Sequence, residues 1–275
     1  MIKADHYFKN NLNTILVDGY IDENPRPRYK DGTVAHSKYI TQVYEKYNIE
    51  LGEFPITTLR NTAIKTGIKE ILWIYQCQDV SLATAREMGI NWWDEWDIGD
   101  GTIGQRYGAT VRKWDLMNTL LDGLKKDPFS RRHIMNLYQY SDLSATNGLY
   151  PCAYETLWSV RKYRSVNYLD LTLVQRSSDY IMANMINKIQ YVALQMMVAG
   201  HLGYTAGKFS HFVQNLHIYD RHVNAADEIL NRIPLGVQPR IELRGNKNFY
   251  EYSLDDFIIV DNVGAKLESP LEIAV

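Results

Sequence analysis

The stretch YLDLTLVQRSSD, Tyr168 to Asp179, decides the fold class. Its first half alternates, and Leu169, Leu171 and Leu173 fall on one face of a strand. Its second half packs an amide, a cation, two hydroxyls and a carboxylate into Gln175-Arg176-Ser177-Ser178-Asp179. Working outward, His133–Tyr138, Tyr154–Arg161 and Phe209–Ile218 read as further strands, and residues 36–50 as another before Gly52 and Pro55. Helical spacing governs Thr62–Gln76, with Ile64, Ile68, Ile71, Leu72 and Tyr75 on one face. It also governs Val111–Lys126, with Trp114, Met117, Leu120, Leu121 and Leu124 facing inward and Asp127-Pro128 as the stop. Ala183–Gly203 predicts a long apolar helix, Tyr219–Asn231 a shorter one, and Ser253–Val260 a last strand. Asp22–Thr33, with two prolines and an Asp31-Gly32 turn, predicts a surface loop. Helices and strands mix without regular βαβ alternation, which predicts α+β.

Bulk properties narrow the function. The 275 residues suffice for one large domain, and no linker or repeat divides them, so a single domain over 1–275 is expected. A formal charge of −2 offers no general field for nucleic acid or an acidic membrane, so an anionic partner needs a local arginine cluster. The apolar runs are too short to span a bilayer, and MIKADHYFKN is too polar for a signal peptide. Two cysteines provide no disulfide framework, which predicts a reducing compartment and the cytoplasm. No metal-ligand spacing appears among the seven histidines. Twenty tyrosines and six tryptophans, with Trp92-Trp93-Asp94-Glu95-Trp96 as the densest cluster, suit either buried packing or a ring-stacking pocket.

Several residues are candidates for chemistry. Cys152 in Tyr150-Pro151-Cys152 is either a small buried hydrophobe or a nucleophile that needs a nearby cation, with Arg131, Arg132 and Arg176 available. Ser130-Arg131-Arg132 is either a solvated strand edge or a forked anion site. Asn187, on an otherwise apolar helix, needs a partner and presents a donor beside an acceptor, as one pyrimidine edge requires. His217 and Tyr219 lie two apart and share one side of a strand.

Taken together, Lys69-Glu-Ile-Leu-Trp73, Trp93-Asp-Glu-Trp96, Gly104-Gln-Arg-Tyr-Gly108, Ser130-Arg-Arg132, Pro151-Cys152, Gln175–Asp179, Asn187 and His217-Ile-Tyr219 resemble the folate-dependent thymidylate synthases in order and approximate spacing. The resemblance implies a large mixed β-sheet flanked by helices, packing sheet to sheet in a homodimer. It implies reductive methylation of dUMP at C5, with 5,10-methylenetetrahydrofolate as carbon and hydride donor and no metal. Cys152 would add to uracil C6, while Glu70 and Tyr107 would manage protons. Arg176, Ser177 and Gln175 would belong to the dUMP site, with Arg131 and Arg132 reaching a partner's phosphate. Arg26, in preference to Arg28, would complete that clamp. Asn187 would read the uracil, and His217 with Tyr219 the ribose hydroxyl. Trp93, Leu149, Asp179, Ala183, Ile186 and the tail ending at Val275 would meet the folate. Ala153, Ala183 and Ile186 depart from the family's usual His, Gly and Phe. The alternatives are a dUMP or dCMP hydroxymethylase on the same scaffold, a non-catalytic nucleotide- or RNA-binding homologue, and a Cys/His acyl-transfer enzyme using His133 or His217.

Overall fold

A computed structural model describes residues 1–275. Its helices are α1 (Lys3–Asp18), α2 (Ile64–Ile71), α3 (Leu82–Glu87), α4 (Gly108–Lys113), α5 (Leu116–Lys126), α6 (Tyr140–Ala145), α7 (Asn184–Leu202) and α8 (Val223–Asn231). Its strands are β1 (Tyr20–Ile21), β2 (Ser37–Asn48), β3 (Ile134–Asn136), β4 (Ala153–Tyr163), β5 (Val166–Gln175), β6 (Ser178–Asp179), β7 (Thr205–Tyr219), β8 (Arg240–Leu243) and β9 (Phe257–Val260).

Strands β1 to β7 form one mixed sheet in the order β1-β2-β7-β5-β4-β3, with β6 also paired to β7. β5 runs parallel to β7, whereas β2–β7, β4–β5 and β3–β4 are antiparallel. This is the expected α+β architecture. Leu169, Leu171 and Leu173 of β5 are buried, as their alternation requires. The hairpin partner β4 sends Trp158 into the same core. α7 packs across that face and ends at Gly203, whose φ of +68° suits a residue without Cβ.

A polar knot lies within the apolar layer. Lys188 of α7 meets Glu45 of β2 at 2.6 Å with both side chains buried. Tyr47 and Tyr180 donate to the same carboxylate, and Asn11 of α1 donates to it at 3.1 Å. Such a pair is costly to desolvate, and its satisfied hydrogen bonds tie helix, strand and N-terminal helix into one relative position.

Four expectations change. The helix from Val111 to Lys126 is broken: Asp115 adopts φ +47° and separates α4 from α5. Trp114 at the break is exposed rather than inward, with its indole N–H on Asp142. The segment Tyr219–Asn231 begins as a 3-10 turn, Asp220–His222, before α8. In Ser253–Val260 only the second half is strand, because a Ser253–Asp256 capping box closes a 3-10 turn first. The N-terminal α1 was not anticipated, since its apolar stripe of Phe8, Leu12 and Ile15 is narrow and surrounded by polar residues. α2 continues through a π turn, Leu72–Gln76, that keeps Leu72, Trp73, Ile74 and Tyr75 all buried.

Candidate active site

The end of β5, the start of α7, the last turn of α2, the loops at 22–27, 92–98 and 147–152, and the C-terminal tail enclose a cavity of about 1040 Å³. Cys152 sits on its floor, immediately before β4. A register shift between Ala153 and Glu155 loosens the pairing there and presents the cysteine at the sheet's end. Arg176 follows β5 on the neighbouring strand, so the two are joined by Arg176 N–H to Cys152 C=O at 3.0 Å.

The arginine side chain secures the cysteine as well. Its guanidinium donates to the carbonyls of Pro151 (3.0 Å) and Tyr150 (2.7 Å) and lies 3.5 Å from Cys152 Sγ. Burial pushes the Cys152 thiol up, and the positive charges of Arg176 and then Arg26 oppose that shift. The Cys152 amide donates to the Tyr107 hydroxyl at 3.2 Å. Tyr107 itself holds φ +42°, a strained backbone that aims its ring into the cavity against Trp93, with ring centres 5.2 Å apart.

Glu70 is on α2 but is only 6% exposed and faces the cavity. Burial raises its carboxyl to about 7. The Trp92 indole donates to it, while Gln190 and Trp93 are nearby donors that temper the rise without closing a full hydrogen bond. No basic side chain neutralises it. A carboxyl held near neutrality inside a pocket can give or take a proton at physiological pH.

Asn187 is fixed from both ends of its carboxamide. Its Oδ1 accepts from Gln175 at 3.3 Å and its Nδ2 donates to Gln190 at 3.0 Å. Gln175 does not line the cavity. It is buried behind Asn187 and pairs with His211 at 2.6 Å, so it holds the Asn187 carboxamide from behind. His217 and Tyr219 point into the cavity from β7, with ring centres 5.0 Å apart. Burial lowers the His217 pKa and keeps the ring neutral.

The cavity wall also contains Arg26, Trp93, Leu149, Ser177, Asp179, Ala183, Ile186 and Val275. Arg28 is outside: its guanidinium reaches Gly32 C=O, and its backbone forms two bonds with Val275. Arg131 and Arg132 are exposed and do not reach this chain's cavity. His133 bonds to Asp127 C=O and His217 to Asn215, so neither is engaged as a base for Cys152. No group of three His, Cys, Asp or Glu side chains is gathered to hold a metal. Gln190 and His222 went unremarked in the sequence, and Trp92 was noted only as part of the aromatic cluster Trp92–Trp96. Its bond to Glu70 was not foreseen, and nothing local marks Gln190 or His222.

Similar proteins agree with this geometry. The family model described as thymidylate synthase matches residues 6–270. The chain is similar to the thymidylate synthase of Lactococcus lactis subsp. lactis strain IL1403, 48% identical over 279 residues and covering all of both chains. It is 47% identical, again over the full length of both, to that of Streptococcus pneumoniae serotype 4. Among solved structures it is similar to the thermostable thymidylate synthase A from Bacillus subtilis, with a TM-score of 0.90, 31% identity and 99% coverage of each chain. A full-length match on sequence and on fold leaves one assignment: the chain belongs to the thymidylate synthase family and is a methyltransferase.

Proposed function

We propose that this cavity converts dUMP to dTMP with Cys152 as nucleophile, and that one observation carries the reading: the Cys152 sulfur faces a guanidinium while a carboxyl raised to about 7 shares its pocket. Arg176 serves two anions, the thiolate and the substrate phosphate, and Arg26 and Ser177 lie where the same phosphate would be held. The thiolate adds to uracil C6 and makes C5 nucleophilic. Asn187, pre-oriented by Gln175 and Gln190, reads the O4/N3 edge and favours uracil over cytosine. His217 and Tyr219 take the ribose hydroxyl. Glu70 manages the proton near O4, and Tyr107, whose hydroxyl accepts from the Cys152 amide, is placed to pass the C5 proton to water.

Methylenetetrahydrofolate supplies the one-carbon unit and then a hydride, leaving as dihydrofolate. The residues present suit such a ligand: Trp93, Leu149 and Ile186 form an apolar wall, Ala183 leaves room, and Asp179 offers a carboxylate to a pterin. The tail to Val275 closes one side and limits water.

A homodimer fits the outer face of the sheet. Glu155, Val174, Phe212 and Tyr44 form one row across four strands, and Ile134, Leu157, Thr172, Ser210 and Lys46 form the next. Tyr44, Ile134 and Leu157 are exposed there, which is apolar surface suited to a second copy. Arg131 and Arg132 immediately precede β3 at that rim, consistent with donation to the partner's phosphate site. Both cysteines are unpaired, in keeping with a cytoplasmic protein.

The test is incubation with dUMP and methylenetetrahydrofolate. Dihydrofolate and dTMP should appear together; tetrahydrofolate with hydroxymethyl-dUMP would instead assign the hydroxymethylase reading. Arg131→Ala chains mixed with Cys152→Ala chains should regain activity if the site is shared, and no recovery would reject donation across the interface.

A further inference from the structure

His222 is fully buried in the turn that follows β7, with one ring nitrogen toward Asp179 of the cavity wall and the other toward Glu272 of the C-terminal tail. Nε2 lies 3.1 Å from the Glu272 backbone nitrogen and 3.0 Å from the Glu272 carbonyl oxygen. Nδ1 lies 3.6 Å from Asp179 Oδ2 and has no hydrogen-bond partner. Asp179 Oδ1 is already committed to the amides of Ile181 and Met182, both at 3.0 Å, so Oδ2 is the oxygen left for a ligand.

A neutral imidazole has one N–H, and the surroundings choose its place. With Nε2 accepting from the Glu272 amide, the proton sits on Nδ1 and points toward Asp179 Oδ2. The other tautomer would satisfy the Glu272 carbonyl at 3.0 Å, but it would set Nε2–H against the Glu272 N–H and a bare Nδ1 against a carboxylate, two mismatches in place of one. The tail is gripped beside this point as well, because Arg221 pairs with Glu272 at 2.7 Å and with Asp31 of the 22–33 loop at 2.7 Å.

We propose that His222 is a positioning residue that couples docking of the tail to the orientation of the Asp179 carboxylate. Accepting from Glu272 fixes the ring and its Nδ1–H, whose positive end faces Oδ2 at 3.6 Å, short of a hydrogen bond, and biases the carboxylate toward the orientation a folate ring system can bind. The inference rests on the reading of Asp179 and the tail as the folate side of the cavity.

Two kinds of variant test it, in the full-length enzyme. His222→Gln removes the bridge. Glu272→Pro removes only the backbone donor when compared with Glu272→Ala, which loses the same carboxylate but keeps the N–H and leaves the buried core intact. His222→Gln should raise KM for methylenetetrahydrofolate about three- to tenfold while the Kd for dUMP stays within about twofold. Glu272→Pro should show the same rise beyond Glu272→Ala, and the double variant His222→Gln/Glu272→Pro should be no worse than either alone. Multiplying effects, or equal losses in dUMP and folate binding, would overturn the coupling. Asp179→Asn separates the two failures: an unchanged folate KM there would overturn the underlying assignment of Asp179, and this proposal with it.

Discussion

The molecule has two free cysteines in contrasting surroundings. Cys77 is exposed at the end of the π turn, and partial burial of its thiol together with the Asp79 negative charge pushes that thiol up. Cys152 is pushed up by burial too, but Arg176 and Arg26 oppose the shift. The residue type is the same and the neighbouring charge has the opposite sign. We assign nucleophilic character to the second region because Arg176 is held in place there by the carbonyls of Tyr150 and Pro151, beside the sulfur.

The sharpest way to break this comparison is to exchange the thiols one at a time. Cys152→Ser should lower turnover by about 10³-fold or more, whereas Cys77→Ser should stay within about twofold, read by dihydrofolate absorbance. Comparable losses in both would end the distinction. Arg176→Met comes next, with an expected loss of about 10²-fold in kcat/KM for dUMP. Removing the cation raises the Cys152 thiol further, so its alkylation by iodoacetamide at pH 8 should slow while that of Cys77 is unchanged.

Glu70→Gln extends the contrast to the carboxyl in the same pocket. The folded carboxyl sits near 7 against a reference of 4.5, so the folded protein binds the proton more tightly than the unfolded chain. Stability therefore falls as pH rises from about 4.5 to 7. Relative to wild type, Glu70→Gln should become more stable by about 2–3 kcal/mol between pH 5 and pH 8 in urea titrations. It should also lose any alkaline limb near 7 in the kcat profile; a limb that survives the substitution belongs to another group. The smallest effect is expected from Trp92→Phe, which removes a donor to the charged form. That limb should move up by about 0.5–1 pH unit, with turnover changed by less than about tenfold.

Much of the sheet was legible because alternation is a local property: β5 and β7 are written in their own leucines, valines and aromatics. The helix break at Asp115 was not, since a left-handed residue leaves no mark on an apolar stripe that continues past it. Cys152, Arg176, Asn187, His217 and Tyr219 were nominated from the residues themselves, but the chemistry assigned to them came from family resemblance. Burial of Glu70 could not be read, because the stripe of Ile64, Ile68 and Ile71 sets it on the opposite, outward face, which here meets the cavity wall in place of solvent. Gln175 shows the converse: the family resemblance placed it in the dUMP site, yet alternation along β5 turns it inward toward His211. Arg131 and Arg132 lie outside this cavity, so the role proposed for them requires a second copy of the chain.

The pairing of β2 with β7 has a consequence for synthesis of the chain. β2 ends at Asn48, and the strand it must pair with is not complete until Tyr219. At cellular translation rates, β2 waits on the order of ten to thirty seconds for its neighbour. During that time the edge that will meet β7 is unpaired, and Lys38, Glu45 and Lys46 are the charges that discourage premature association with other nascent chains. Glu45 later becomes the buried partner of Lys188, so a residue that guards the waiting strand also locks the finished one.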